Sequence, residues 1–185
     1  MGAGKSTALA ALERLGAAVI SSDAVVHELY AGELLRDALV GRWGREVAPN
    51  GMVDRAAVAE RAFASVDDRA WLEGMVWPLV GARVAGWLEQ VRTSGDTPRA
   101  AVVEVPLLFE AGMEGLYDAT IAVVADEAAR QRRAAGRGHA LADERGERQL
   151  SQAEKARRAT FVVRNDGTER DLERELSAVL AKLGR

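Results

Sequence analysis

The chain has 185 residues, of which 48% are hydrophobic, 29% charged and 5% aromatic, and its formal net charge is −3. This length suits one α/β domain, or one domain with a lid, and it can bury a sizeable core. The charge argues against a dedicated nucleic-acid binder, and the absence of cysteine excludes disulfides and cysteine-ligated metal sites. No apolar run is long enough for a membrane helix and no signal-peptide pattern is visible, so we expect a cytoplasmic protein.

The first predicted elements are a helix and a short strand. Residues 4–15 carry leucines at helical spacing, and Gly16 ends the pattern. Residues 17–20 form an apolar run, and the polar residues 21–23 end it. This run predicts a buried strand followed by a polar loop.

The middle of the chain is predicted to be helical. From residue 23 to residue 90 the apolar side chains keep a helical spacing, interrupted by a turn signal at 49–51. Pro78 is expected to kink or interrupt its helix. The clearest linker is the polar segment 93–98.

The last third of the chain alternates between strands and helices. Three β-branched runs, at 100–105, 119–124 and 160–163, predict strands, and leucines from 172 to 183 predict a final helix. Such alternation is typical of βαβ units and a parallel sheet.

A phosphate-binding loop is indicated at the start of the chain. The pattern G-x-x-x-x-G-K-[ST] uses backbone N–H groups at a helix N-terminus to bind phosphate oxygens. Lys5 would reach the β- and γ-phosphates of a nucleotide, and the Ser6 hydroxyl would hold Mg²⁺. The alternative is a chance Gly-Lys-Ser in a glycine-rich stretch, but only three of the 25 basic residues are lysines. The residues that match the end of the pattern are Gly2, Ala3, Gly4, Lys5, Ser6 and Thr7.

The beginning of this pattern is missing. Its first glycine belongs two positions before Met1, and the strand that should feed the loop, the central strand of the sheet, is absent as well. We therefore expect that Met1 is an internal methionine and that the 185-residue form is poorly stable and nearly inactive. An in-frame stop codon just upstream would contradict this expectation.

Further segments resemble the dephospho-CoA kinase family in order and spacing, over essentially the whole chain. They correspond to the family patterns V-I-D-A-D, G-x-h-D-R…F (h being apolar), D-V-P-L-L-F-E and R-x-x-x-Q…K…N-x-G. The matching residues are Val19–Ala24, Gly51–Arg55 with Phe63, Glu104–Glu110, and Arg145, Gln149, Lys155 and Asn165–Gly167.

The resemblance implies a three-layer P-loop kinase core with a parallel sheet, made of residues 1–23 and 93–185. It also implies a helical acceptor region at 24–92 and a helical lid at about 136–157. The implied reaction transfers the γ-phosphoryl group of ATP, with Mg²⁺, to the ribose 3′-hydroxyl of dephospho-CoA. The implied partners are these small molecules, with no nucleic acid or membrane, and a monomer is expected.

The resemblance also implies a catalytic base. Asp23 follows a predicted strand, and ligands of open α/β sheets bind at the carboxyl ends of strands. It would orient or deprotonate the acceptor hydroxyl; the alternative is that Asp23 caps the helix that begins at Ala24. His27, four residues later, would face the same pocket, although such a histidine is more often packed or solvated.

The other implied site residues come from the second half of the chain. Glu104 would lie near Mg²⁺, or would have no role there. By resemblance Pro106, Leu107 and Leu108 form an apolar wall of the acceptor site. Arg133 and Arg137 would bind the phosphates from the lid, with Arg137 catalytic; the alternative is a solvated helix face. Asn165 would lie near the nucleotide base; the alternative is a plain Asn-Asp-Gly turn.

The chain departs from the family pattern at three positions. Trp77 replaces the usual histidine, Ser21 replaces the first aspartate of V-I-D-A-D, and Thr160 replaces an aspartate common before the last strand. Two alternatives to the implied function stay open. One is another small-molecule P-loop kinase, of the nucleoside-monophosphate or shikimate type; the other is a nucleotide-binding protein that has lost catalysis.

Overall fold

The computed structural model describes residues 3–127, 129 and 149–184. Within these ranges, helices and strands alternate near the start and after residue 100, and the middle is helical. The described helices are α1 (Lys5–Arg14), α2 (Ser22–Ala31), α3 (Glu33–Trp43), α4 (Arg55–Ala64), α5 (Val66–Thr93), α6 (Gln152–Arg158) and α7 (Glu169–Leu183). The described strands are β1 (Ala18–Ser21), β2 (Ala101–Glu104), β3 (Ile121–Val124) and β4 (Phe161–Arg164).

The first helix and the later strands lie where the sequence predicts them, but the prediction of a polar loop after β1 is wrong. The strand runs to Ser21, and α2 begins at the next residue. The hydroxyl of Ser21 accepts a hydrogen bond from the Ala24 N–H at 3.5 Å. Because one serine ends the strand and also caps the helix, no connecting loop is needed.

Of the two expected effects of Pro78, a kink or an interruption, the interruption does not occur: α5 runs through Pro78 and is 28 residues long in all. A proline removes one backbone hydrogen bond, and its ring crowds the carbonyl of the residue four positions earlier. Here that residue is Gly74, and both residues are exposed. Water can therefore reach the carbonyl of Gly74. None of the described helices, α5 included, is long and apolar enough to cross a bilayer.

The chain forms two compact units. Unit 1 consists of Met1–Val19 and Asp96–Arg185, and unit 2 of Ile20–Gly95. The division between Gly95 and Asp96 falls within the predicted linker at 93–98. Gly95, just beyond the end of α5, adopts a positive φ of 79°.

Unit 1 packs helices on short strands. β1 neighbours β2, and β3 pairs in parallel with β4, with Ile121 opposite Phe161 and Val124 opposite Arg164. Helices α1 and α7 bury their apolar faces in one core against strand residues. The buried members are Ala8, Ala11, Leu12, Ala17, Val163, Leu172, Leu176, Val179 and Leu180.

Unit 2 is helical and has its own core. The buried members of this core come from α3, α4, α5 and the turn after α3, and they are Leu35, Leu39, Val47, Val58 and Val76. Trp43 and Trp71 meet edge to face beside this core, with their ring centroids 5.2 Å apart. Asp68 accepts hydrogen bonds there from Arg42 and from the indole N–H of Trp43.

Candidate active site

The start of α1 has the backbone geometry of a phosphate-binding loop. Gly4 is the N-cap of the helix, with φ 87° and ψ 34°, a left-handed conformation that glycine adopts at least cost. Its carbonyl accepts the first helical hydrogen bond, from the Ala8 N–H at 2.9 Å. No side chain caps this end of the helix. The first N–H groups of α1 are therefore free of a capping side chain, as anion binding at a helix N-terminus requires.

The predicted phosphate and magnesium ligands lie in the first turn of this helix. Lys5 and Thr7 are half-buried, and Ser6 is exposed. Across residues 3–127, 129 and 149–184, no group of three histidine or acidic side chains is arranged to hold a metal ion. Mg²⁺ usually keeps several waters and binds one or two protein oxygens together with substrate phosphates. The exposed hydroxyl of Ser6 fits that mode.

Asn165 contacts the phosphate-binding loop itself. Asn165 follows β4 and is only 4% exposed, and its Nδ2 donates to the carbonyl of Ala3 at 2.9 Å. Its backbone N–H donates to the carbonyl of Val124 at 2.8 Å, which extends the pairing of β3 and β4 by one residue. The structure thus brings Asn165 to the loop backbone, a contact between distant segments that no local sequence pattern predicts.

Packing explains why a glycine stands at the last position of the N-x-G pattern. A Cβ at Gly167 would lie 2.7 Å from Oδ2 of Asp171. That oxygen accepts hydrogen bonds from the backbone and the hydroxyl of Thr168, at 3.0 and 2.7 Å, in the capping box of α7. Consistent with these contacts, the hydrogen bonds from Thr168 and then from Arg174 lower the pKa of Asp171.

Asp23 lies in the first turn of α2 and is exposed. The alternative that Asp23 caps this helix is wrong, because the side chain of Ser21 accepts from the Ala24 N–H in that role. The carboxylate of Asp23 is therefore not engaged as a helix cap.

His27 is also exposed, and it has a partner within unit 2. Nη1 of Arg55 is in hydrogen-bond contact with Nε2 of His27. Arg55 is the first residue of α4, which Asp54 caps by accepting from the N–H groups of Ala56 and Ala57 at 2.9 and 3.3 Å. The D-R pair of the G-x-h-D-R pattern thus has a structural role that the sequence reading did not assign.

The segment after β2 turns sharply. Glu104 is the last residue of the strand and is half-buried. Two residues on, the chain folds into turns closed by the N–H groups of Ala111 and Met113. These turns leave Leu107 45% exposed and bury Phe109 to 6% exposed, so the predicted apolar wall has one outward-facing leucine.

The end of this segment is held by an ion pair that sequence reasoning missed. Nζ of Lys155 lies 2.8 Å from Oε1 of Glu110, with the side chains 20% and 12% exposed. Burial raises the pKa of Glu110, but the hydrogen bond from Lys155, together with backbone hydrogen bonds, outweighs it and holds the pKa below its usual value. A lysine in a chain whose basic residues are mostly arginine was the available signal.

Several predicted residues remain to be placed. Gly2, Arg133 and Arg137 lie outside the described residues, as does most of the predicted lid. Trp77 is on α5 and is 56% exposed, so it is not part of the core of unit 2. Asp23 and His27 belong to unit 2, whereas the loop, Glu104 and the segment after it belong to unit 1.

The class of protein follows from these features. An α/β fold in which a left-handed glycine opens a helix that begins Lys-Ser is that of a P-loop phosphotransferase. Comparison with known proteins gives the family. The family model for dephospho-CoA kinase matches residues 1–171.

Individual relatives agree with the family model. The chain is 37% identical over 170 residues to a dephospho-CoA kinase of Symbiobacterium thermophilum, covering 89% of this chain and 70% of that one. It is 38% identical over 184 residues to one from Moorella thermoacetica, covering 96% and 84%. A crystal structure of the Thermus thermophilus protein TT1252 superimposes with a TM-score of 0.82 at 35% identity, covering 99% and 93%. The chain belongs to the dephospho-CoA kinase family, whose members are ATP-dependent kinases.

Proposed function

We propose that this chain transfers the γ-phosphoryl group of ATP to the ribose 3′-hydroxyl of dephospho-CoA. The observation that carries the proposal is the start of α1, where the left-handed Gly4 leads directly into Lys5 and the first turn has no capping side chain. Membership of the family supplies the acceptor. Because the phosphoryl donor is ATP, we place the reaction in the cytoplasm.

The proposed donor site is built on the first turn of α1. Residues 2–7 bind the phosphates through their backbone, and Lys5 neutralises charge on the β- and γ-phosphates. Ser6 is the proposed protein ligand for Mg²⁺, with Glu104 as a second candidate for the ion or its waters. When bound, Mg²⁺ would offset the negative charge of the phosphate oxygens. Asn165 supports the loop by holding the carbonyl of Ala3.

Asp23 is the proposed base for the acceptor hydroxyl. Phosphoryl transfer needs little covalent chemistry from the protein, but the attacking hydroxyl must be oriented and its proton accepted. The exposed carboxylate of Asp23 is not used as a helix cap, and so it can serve a ligand.

The acceptor residues are proposed from the family resemblance. Residues 24–92 would form the acceptor region, with His27 near Asp23. Pro106, Leu107 and Leu108 would form an apolar wall. The roles of Arg133 and Arg137 in a lid over the phosphates stay predictions from the family resemblance.

An acceptor screen tests the function. Purified chain, ATP and Mg²⁺ are mixed with dephospho-CoA, nucleoside monophosphates or shikimate, and ADP release is measured. We expect ADP and a 3′-phosphorylated product with dephospho-CoA. ADP formed only with another acceptor would contradict the proposal. Full turnover with dephospho-CoA would contradict the separate expectation that the 185-residue form is nearly inactive.

A matched pair of variants tests the base. Asp23→Asn should lower kcat by about 10²- to 10⁴-fold, the usual contribution of general acid–base catalysis. Asp67→Asn is the control, because Asp67 is also the exposed second residue of a helix, α5. We expect the control to keep full activity. An Asp23→Asn variant with wild-type kcat would remove Asp23 from the mechanism.

A further inference from the structure

We propose that Lys155 is a positioning residue that fixes the acceptor segment, defined here as residues 106–110, for binding of the phosphoryl acceptor. The inference rests on the proposed function, because the acceptor segment is assigned to dephospho-CoA binding there. It adds Lys155 of α6, a residue to which that function gave no role.

One ammonium group holds both ends of the acceptor segment. Nζ of Lys155 lies 2.8 Å from Oε1 of Glu110 and donates to the carbonyl oxygen of Pro106 at 3.3 Å. The same Oε1 accepts the backbone N–H of Leu150 at 2.9 Å. A lysine ammonium has three donors around a point charge, so it can serve a carboxylate and a carbonyl in different directions. The distance between the two ends of the segment is therefore set by a single side chain.

Lys155 is itself anchored to the strands of unit 1. The side-chain amide of Gln152, the first residue of α6, exchanges two hydrogen bonds with the backbone of Ala125, both at 2.9 Å. Ala125 directly follows β3, and β3 pairs with β4, which leads into Asn165. The strand pair β3–β4 thus positions both Lys155 and, through Asn165, the phosphate-binding loop at Ala3.

The contacts of α6 do not end with Lys155. Arg158, at the end of the helix, pairs with Glu114 and lies over the ring of Phe109 at 5.5 Å from its centroid. Phe109 is nearly buried, while Leu107, two residues earlier, is exposed. Fixing the buried ring and both ends of the segment therefore determines where the exposed leucine is presented.

Stability alone is a poor reason for this ion pair. Removing two charges from water costs about as much as their attraction returns, so a mostly buried pair contributes little net stability. Its value lies in fixing geometry, because misplacement by about 1 Å can cost roughly 100-fold in rate. Loss of Lys155 should consequently weaken use of the acceptor and leave ATP binding unchanged.

Three variants separate positioning from stability. In K155M the carboxylate of Glu110 loses its partner, so we expect a lower melting temperature and a KM for dephospho-CoA raised about 10- to 100-fold. In K155M/E110Q no charge is left unpaired, so the melting temperature should recover. The KM should stay high, because the carbonyl of Pro106 still lacks its donor. K182M is the matched control, because Lys182 is exposed in the last turn of α7.

The KM for ATP should stay within threefold of wild type in all three variants. A double variant that recovers both melting temperature and acceptor KM would overturn the proposal, because the pair would then serve stability alone. Equal changes in the KM for ATP and for dephospho-CoA would overturn it as well.

A measurement without turnover keeps this test independent of the proposed function. Hydrogen exchange of the Ala111 and Met113 amides, which close the turns of the segment by bonding to Leu107 and Leu108, is followed in each variant. We expect faster exchange in K155M and in K155M/E110Q than in wild type or K182M. Unchanged exchange in both would overturn the positioning role, even if the chain phosphorylated no acceptor at all. Failure of the wild-type acceptor screen with faster exchange would instead overturn only the proposed function.

Discussion

Long-range polar contacts differ between the two units. In unit 1, besides ion pairs such as Arg14–Glu173, side chains also bind main-chain atoms of distant segments: Asn165 holds Ala3, and Lys155 holds Pro106. In unit 2, polar side chains on different helices pair with one another. Examples are the ion pairs Arg42–Asp68, Arg61–Glu46 and Arg83–Glu28.

The two kinds of contact have different effects on the backbone and on stability. A side chain that holds a carbonyl or an N–H group fixes the course of the backbone, which phosphoryl transfer needs because its catalysis depends on positioning. An exposed ion pair between helices contributes roughly 0–1 kcal/mol and lets the helices adjust. Substitutions in unit 1 should therefore change kinetics, and loss of a polar contact in unit 2 should change stability slightly.

The largest expected effect is at the loop of unit 1. Lys5→Met should lower kcat/KM by about 10³-fold, because a preorganised donor to the reacting phosphates is lost, while the melting temperature changes little. Steady-state kinetics and thermal melting measure the two effects. Lys182→Met is the matched control and should behave as wild type. A loss of activity below threefold would show that the loop does not bind the transferred phosphate.

The second prediction concerns a property that the two units share, an aliphatic core. Leu176 in unit 1 and Leu39 in unit 2 are both fully buried. Each change to alanine should lower the free energy of unfolding by about 2–5 kcal/mol in urea titrations. The exposed Leu116 and Leu34 are controls, expected within about 0.5 kcal/mol of wild type. A large cost in one unit alone would mean that the cores do not contribute equally.

A smaller effect is expected at Asn165. Asn165→Leu removes the donor to the carbonyl of Ala3, which costs about 1–3 kcal/mol when a carbonyl is left unpaired. We expect the KM for ATP to rise about tenfold, the equivalent of 1.4 kcal/mol, with little change in the KM of the acceptor. Asp166→Asn is the control, because an amide oxygen can still accept from the Asp126 N–H. An unchanged KM for ATP would remove Asn165 from the support of the loop.

The smallest effect is a pH dependence in unit 2. Hydrogen bonds from Arg42 and then from Trp43 lower the pKa of Asp68. A carboxyl with a lowered folded-state pKa stabilises the protein above its unfolded pKa, about 3.9, and this stability is lost as the pH falls through the lowered value. The melting temperature of Asp68→Asn should therefore lie slightly below wild type at pH 6 and approach it in acid. A constant difference across that range would contradict the assignment, and kinetics at pH 7 should not change.

Much of the fold could be predicted because its signals are local. The leucines of α1, the glycine that ends their pattern and the β-branched runs of β2 to β4 each act within a few residues. The errors concern residues whose effect depends on a neighbour. Pro78 does not end α5, because the exposed carbonyl of Gly74 that it leaves without a helical donor is open to water. Ser21 replaces a loop because its hydroxyl reaches the Ala24 N–H.

The candidate site divides in the same way. The left-handed turn at Gly4 that opens α1 could be predicted, because its signal lies within one short segment of the sequence. The contacts of Asn165 and Lys155 could not, because they join segments far apart in sequence, and no local periodicity encodes them. Lys155 was visible as an unusual residue type, but its partners were not.

One departure from the family pattern has a consequence for acid tolerance. At this position, the hydroxyl of Thr160 accepts the backbone N–H of Thr120 at 3.1 Å, and the hydroxyl of Thr120 accepts the N–H of Thr160 at 3.0 Å. This reciprocal pair lies where β3 and β4 begin and fixes their register, because a slip of one residue would break both bonds. A hydroxyl does not titrate in acid. The register of β3 and β4 therefore does not depend on a group that is protonated in acid, even at a pH at which carboxylates of the same unit become protonated.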